Sequence, residues 1–266
     1  MKAIGIETPC GKQFHGKEII ASGGSYRTPQ LLMLSGIGPK EVLSPLGIPV
    51  KVDSPEVGQS LHDHLQFSIF WKLKDPSAGY AVRSGNPLFT QPQFARGMPI
   101  DFVVTTTVSK EGLAQAIALD EGELPSPNHP LLKNDRSFME HLVVYASANP
   151  ADPFVSANGT HITGTVADLM PTSKGHVRIN STNPADPPVL DPNYLSTRVD
   201  RYAFREGLRT AAHLMLGTEA GRSFIEGETP PNDFDPISVD SDDEYLDARV
   251  RHGALYVFLE MAGGPC

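Results

Sequence analysis

The chain has 266 residues, 39% hydrophobic and 20% charged, which suits one large globular domain or two small ones. Its formal charge of −9 leaves no basic footprint for nucleic acid, and no apolar run approaches the roughly 20 residues that span a bilayer. Two cysteines, Cys10 and Cys266, are too few for a disulfide framework or a zinc cluster.

The first residues, Met1 to Glu7, lack the apolar core of a signal peptide, and the compartment stays unknown. Residues 1–6 alternate weakly and predict a strand entering a turn at Thr8-Pro9-Cys10-Gly11. Residues 17–22 form a short apolar run before Gly23-Gly24 and predict a buried strand ending at a tight turn. A helix is expected next, with Thr28 as N-cap, Pro29 in the first turn, Leu31, Leu32, Met33 and Leu34 as its body and Gly36 as its stop. A second short helix is predicted over residues 39–46 with Gly47 at its end, and a strand over 50–52.

From Gln66 onward Phe67, Ile69 and Trp71 alternate with Ser68, Phe70 and Lys72, a strand pattern. Further strands are predicted over 100–108, 138–146, 162–170 and 176–179, where Val, Thr, Phe and Tyr are frequent. Residues 75–99 and 110–136 are rich in Pro, Gly and Ser and read as lid-like loops or irregular cover. Two helices follow, one over 200–216 and one started by the capping box Ser241-Asp242-Asp243-Glu244 and ending near Arg251. The expected fold class is α+β: a partial Rossmann-type α/β layer, plus a domain with a mainly antiparallel sheet and flanking helices.

The most specific stretch is Gly24-Ser25-Tyr26-Arg27-Thr28-Pro29-Gln30-Leu31-Leu32-Met33-Leu34-Ser35-Gly36-Ile37-Gly38. It resembles the second signature of the glucose-methanol-choline (GMC) oxidoreductases, in which Ser/Thr-Pro, paired aliphatics and Ser-Gly-aliphatic-Gly recur at fixed spacing. Two more segments resemble the family. Leu46-Gly47-Ile48-Pro49-Val50 leads to Val57-Gly58-Gln59-Ser60-Leu61-His62-Asp63-His64, with Ser60 replacing the usual Asn. Pro171 to Ile179, Asp186 to Leu195 and Arg205-Glu206-Gly207-Leu208 match the family's C-terminal region. The flavour is that of fungal aryl-alcohol-oxidase-like members.

The resemblance implies an FAD-dependent oxidoreductase acting on the CH–OH group of a small-molecule alcohol, with no nucleic-acid or membrane partner. Family members are often secreted. It implies a partial FAD-binding domain over residues 1–65, a substrate-binding domain over 66–258 and a non-family tail over 259–266. Ser22, Gly23 and Gly24 are the cofactor-side candidates, because a strand end with glycines lets a cofactor approach the backbone. A purely structural turn explains them nearly as well. Phe258 is the substrate-side candidate, with a plain core role as its alternative.

Two family features are missing from the sequence. The dinucleotide fingerprint Gly-x-Gly-x-x-Gly does not occur, so the chain reads as starting after the pyrophosphate site. The family's catalytic segment, aliphatic-Phe-His-Pro-x-Gly-Thr, arrives in register at Tyr256-Val257-Phe258, but Leu259 stands where the catalytic histidine is expected. No catalytic residue is therefore assigned, and the chain reads as incomplete. The alternative is a non-catalytic remnant or interaction module of the same family. His62 and His64 flank Asp63, but no third ligand accompanies them and a hydrogen-bonded structural role is expected rather than a metal site. The remaining histidines show no partner pattern, and Ser35 does not sit in a hydrolase nucleophile elbow.

Overall fold

The structure, a computed structural model, describes residues 2–8, 10–95 and 97–256. In chain order the elements are β1 (Gly5–Glu7), β2 (Gln13–His15), α1 (Gly24–Leu34), β3 (Ile37–Gly38), α2 (Lys40–Leu43), β4 (Val52–Asp53), β5 (Gln59–Leu61) and β6 (Leu65–Leu73). There follow β7 (Ile100–Thr106), α3 (Lys110–Glu121), β8 (Met139–Val144), β9 (His161–Asp168), β10 (Gly175–Arg178) and β11 (Val189–Asp191). The last are α4 (Arg198–Ala212), α5 (Glu219–Phe224), β12 (Ile225–Glu228), α6 (Asp243–Gly253) and β13 (Ala254–Tyr256). The fold is mixed helix and sheet with mainly antiparallel strands, as the sequence predicts; β3 and β4 make the one parallel pair among the described strands.

The chain divides into two compact units. One comprises Met1–Asp63 and Ser173–Tyr194, the other His64–Thr172 and Leu195–Cys266. Residues 173–194, expected with the second region, belong to the first because β10 pairs with both β5 and β11. That sheet leaves the chain no choice but to return.

In the first unit, Met33 and Leu43 are fully buried and pack with Ile179, Val42, Leu46, Ile48, Val50 and Val57. Helix α1 differs from expectation at its start. It begins at Gly24 with Gly23 as N-cap and no capping side chain, so Thr28 is not the cap and Pro29 lies inside the helix. The helix stops as expected, with Gly36 at φ +84, a left-handed conformation that glycine adopts without strain. Residues 17–22 form no strand, and Ile20 is 79% exposed. An apolar run becomes a strand only where a neighbour takes up its backbone hydrogen bonds, and no described strand runs beside this one.

The second unit is built on a six-stranded antiparallel sheet in the order β12-β6-β9-β8-β7, with β13 also on β6. Strand β6 alternates strictly: Leu65, Phe67, Ile69, Trp71 and Leu73 are buried, while Gln66, Ser68, Phe70 and Lys72 point to the other face. Helix α4 covers the apolar face with Val199, Ala203, Phe204, Leu208, Ala211 and Ala212. It comes so close that a Cβ at Gly207 would stand 2.8 Å from Val166 and 2.9 Å from Met139. A helix absent from the sequence reading, α3, occupies residues expected to be a loop. Leu113, Ala116 and Ile117 form its buried stripe, and Gly122 at φ +84 ends it.

The end of β9 meets the start of α4 through two buried carboxyl groups. Asp200, in the first turn of α4, accepts from Thr172 N at 2.7 Å and Thr172 Oγ1 at 2.6 Å. Asp168 accepts from Met170 N at 2.9 Å. Burial, and next the charge of Asp200, push the Asp168 pKa up to about 7. An acid whose folded pKa is raised is most favourable to folding when protonated. Its contribution is present in full below the unfolded value and is lost as pH rises through the folded one. Asp168→Asn, which keeps the acceptor oxygen, should therefore remove a loss of stability between about pH 4 and 7 and leave the variant more stable at pH 8, by up to about 4 kcal/mol. Urea melts of both forms across that range provide the measurement; parallel pH profiles would refute the assignment.

Candidate functional site

The face of the six-stranded sheet away from α4 mixes polar and apolar side chains. A groove of about 460 Å³ lies on it, where Gln66, Ser68, Thr163 and Thr165 stand beside Val82 and Val144. Val82 and Arg83 form its rim, fixed by Val82 N donating to Tyr145 O at 2.7 Å and by Arg83 Nη1 donating to Ala157 O at 3.2 Å. Thr163 Oγ1 donates within 3.1 Å to Ala146 O and Ser147 Oγ. The side chains of Gln66, Ser68 and Thr165 make no hydrogen bond among the described residues, which leaves one amide and two hydroxyl groups to bind a ligand.

A second recess of about 350 Å³ shares Ser68 and Thr163 with this groove and reaches Asn149, Asp152, Glu228, Arg249 and His252. At its base Arg249 and Glu228 are buried, with Nη2 to Oε1 at 2.5 Å. Arg249 also donates to Asp235 O at 3.0 Å and lies over the rings of Phe67, Phe234 and Tyr245. Burial works against its charge, but the hydrogen bond and charge of Glu228 outweigh it and hold the pKa above the ordinary arginine value. At the mouth, His252 Nε2 stands 3.8 Å from Asp152 Oδ2, whose two oxygens also accept from Asn232 N.

The sequence-predicted residues fall as follows. Ser22, Gly23 and Gly24 are exposed where an extended segment enters α1. Gly24 has φ +70 and open space where a side chain would start. The missing side chain leaves the backbone there open to approach. Phe258 and Leu259 lie outside the described residues; the last described strand, β13, runs antiparallel to β6 with Tyr256 opposite Leu65. His62 and His64 are exposed, and His62 Nδ1 donates to Ser60 O at 3.0 Å. The groove residues and the His252–Asp152 pair escaped the sequence reading. Their only signal was the outward phase of β6, since Asp152 and His252 come from distant parts of the chain.

Comparison with known proteins settles the lineage. Two profiles described as GMC oxidoreductase match residues 1–66 and 171–264. The chain belongs to the GMC oxidoreductase family. Members of this family are FAD-dependent flavoproteins. The chain is 40% identical over 252 residues to the GMC-type oxidoreductase acuG of Aspergillus aculeatus, covering 94% of this chain and 47% of that protein. It is 30% identical to pyranose dehydrogenase of Agaricus campestris, over 87% of this chain and 38% of that one. With oxygen-dependent choline dehydrogenase of Staphylococcus aureus it shares 31% identity, over 99% of this chain and 44% of the relative. This GMC oxidoreductase sequence thus spans about half the length or less of these curated relatives. Among solved structures, formate oxidase of Aspergillus oryzae superposes with a TM-score of 0.72 at 27% identity, covering 95% of this chain and 46% of that one. A fungal aryl-alcohol oxidase shares the fold at a TM-score of 0.66 and 22% identity, over 92% and 45% of the two chains.

The buried Arg249–Glu228 pair yields a prediction for this site. Arg249→Met alone leaves Glu228 charged and unpaired in the interior and should cost about 3–5 kcal/mol of stability. Arg249→Met combined with Glu228→Leu should recover most of that loss. Denaturant melts of the two variants decide it, and equal destabilisation would show that the pair does not act as a unit.

Proposed function

We propose that this chain provides the donor-binding half of an FAD-dependent oxidoreductase that acts on the CH–OH group of a small alcohol. The observation that carries this reading is the open face of the six-stranded sheet, where Gln66, Ser68 and Thr165 offer unengaged hydrogen-bonding groups in a chain of this family. Relatives named for pyranose and choline point to hydroxylated donors. In such chemistry FAD, when bound, takes up hydride from the donor carbon. The chain's part is to orient the donor. The amide of Gln66 and the hydroxyl of Ser68, both on β6, bind donor oxygens, and the flanking loop at Arg83 limits access of water. Ser22, Gly23 and Gly24 provide backbone against which an edge of the cofactor rests.

Leu259 supports a second reading, a non-catalytic member of the family, because the resemblance places a histidine there. A leucine accepts no proton, and loss of a general base costs roughly 10² to 10⁴ in rate. Flanking genomic sequence separates the two readings. A Gly-x-Gly-x-x-Gly before this segment and a His-Pro-x-Gly-Thr after Phe258 in a shifted frame support the enzyme.

Two outcomes are expected. The 266-residue chain alone should leave gel filtration without a flavin absorbance band, because no fingerprint glycines and helix N-terminus receive the pyrophosphate. Stoichiometric flavin would show that the described residues hold FAD unaided. In a gene product carrying both motifs, Gln66→Leu with Ser68→Ala should raise KM for hydroxylated donors about tenfold or more, as two lost hydrogen bonds of about 1 kcal/mol each require. Unchanged kinetics would remove the groove from the donor site.

A further inference from the structure

The other face of the six-stranded sheet holds a second cavity, independent of the donor groove. Edge strand β7, its neighbour β8 and the end of α4 flank an open recess of about 470 Å³, with Phe102 79% exposed on its rim. Ligand pockets typically run to about 300–1,000 Å³, so the volume suits a molecule of one or two rings. Phe102, Val104, Val143 and Leu214 give it carbon walls. Helix α4 runs directly into a π-helical turn, His213–Gly217, which puts His213 and Leu214 at the cavity. Such turns recur at functional sites.

Thr210, His213 and Thr218 also border it, but His141 is the buried polar side chain of the lining. His141 lines the cavity, is only 8% exposed, and has Nε2 fixed 3.0 Å from Thr106 Oγ1. Its Nδ1 makes no hydrogen bond among the described residues. Burial lowers the pKa of the ring, so near neutral pH it presents a single neutral donor or acceptor. Asp101, the one carboxylate in the lining, is engaged by the Tyr145 hydroxyl at 3.3 Å and disfavours an anion. A hydroxyl group can donate or accept, and therefore suits either tautomer of His141.

We propose that this cavity binds a small neutral aromatic molecule bearing one hydroxyl, with its rings against Phe102, Val104 and Leu214 and its hydroxyl on His141 Nδ1. Recognition is by shape and one hydrogen bond, and it requires neither FAD nor the donor groove.

The test uses the 266-residue chain with 2-naphthol and naphthalene as probes, followed by ligand-observed NMR. Saturable binding of 2-naphthol is expected, about tenfold tighter than naphthalene, the worth of one hydrogen bond of about 1.4 kcal/mol. His141→Phe keeps the ring and should abolish the preference for the hydroxyl. Val104→Trp, at a side chain 54% exposed and so compatible with folding, should fill the cavity and weaken 2-naphthol at least tenfold. Thr218→Trp, from the opposite wall, is a second blocking variant, and melting curves confirm that each remains folded. The proposal fails if 2-naphthol shows no saturable binding up to its solubility limit, if both blocking variants bind as the parent does, or if the hydroxyl preference survives in His141→Phe.

Discussion

Helix α4 lies against the six-stranded sheet at a distance that only a glycine at position 207 permits, and most of the second unit is arranged around that contact. The approach commits one face of the sheet to carbon. Phe67, Ile69, Trp71, Met139 and Val166 are taken out of water there, each fully buried large side chain being worth about 1.5–3 kcal/mol. Because successive strand residues point to opposite faces, the same commitment fixes what the far face displays. Gln66, Ser68, Thr163 and Thr165 stand where they do because their neighbours in sequence are in the core. The groove is the complement of the packing, and a one-residue slip of β6 would exchange the two sets.

Among the described residues, most charge buried in this unit is answered by a partner. Arg249 is enclosed by a carboxylate, a carbonyl and three rings, and the Asp200 carboxylate accepts from the N–H and hydroxyl of Thr172. Asp168 is the exception, being answered by one backbone N–H and by the repulsion of Asp200. Both acids sit at the ends of elements, where their loss would loosen a junction and leave the sheet intact.

The periodic elements were legible in the sequence. The alternation of Phe67, Ile69 and Trp71 predicted β6, and the glycines at 36, 47 and 217 predicted helix ends. The failures have separate physical causes. Residues 110–121 were hidden by the Pro-, Gly- and Ser-rich sequence after them, although Leu113, Ala116 and Ile117 already carry a helical stripe. The run at 17–22 has strand composition but no described partner strand, and composition cannot supply one. Pro29 was read as a helix start, yet α1 accommodates it one turn in. The groove was beyond reach because it is assembled across strands, and linear spacing carries no record of which residues face each other.

The two-part composition of the first unit has a consequence for how the chain is made. Its sheet joins β5 to β10 and β11, elements separated by the whole of residues 62–174. During synthesis, at about 5–20 residues per second, β5 waits for seconds before its partners leave the ribosome. Contacts so distant in sequence close slowly. Over that interval the apolar side chains of Leu43, Val50 and Val57 lack Ile179, while β6 to β9, already complete, can pair. Strand pairing in the second unit therefore begins before the first unit can close, although α4, β12 and α6 are made after β10 and β11, and the beginning of the nascent chain is left for seconds without its partners.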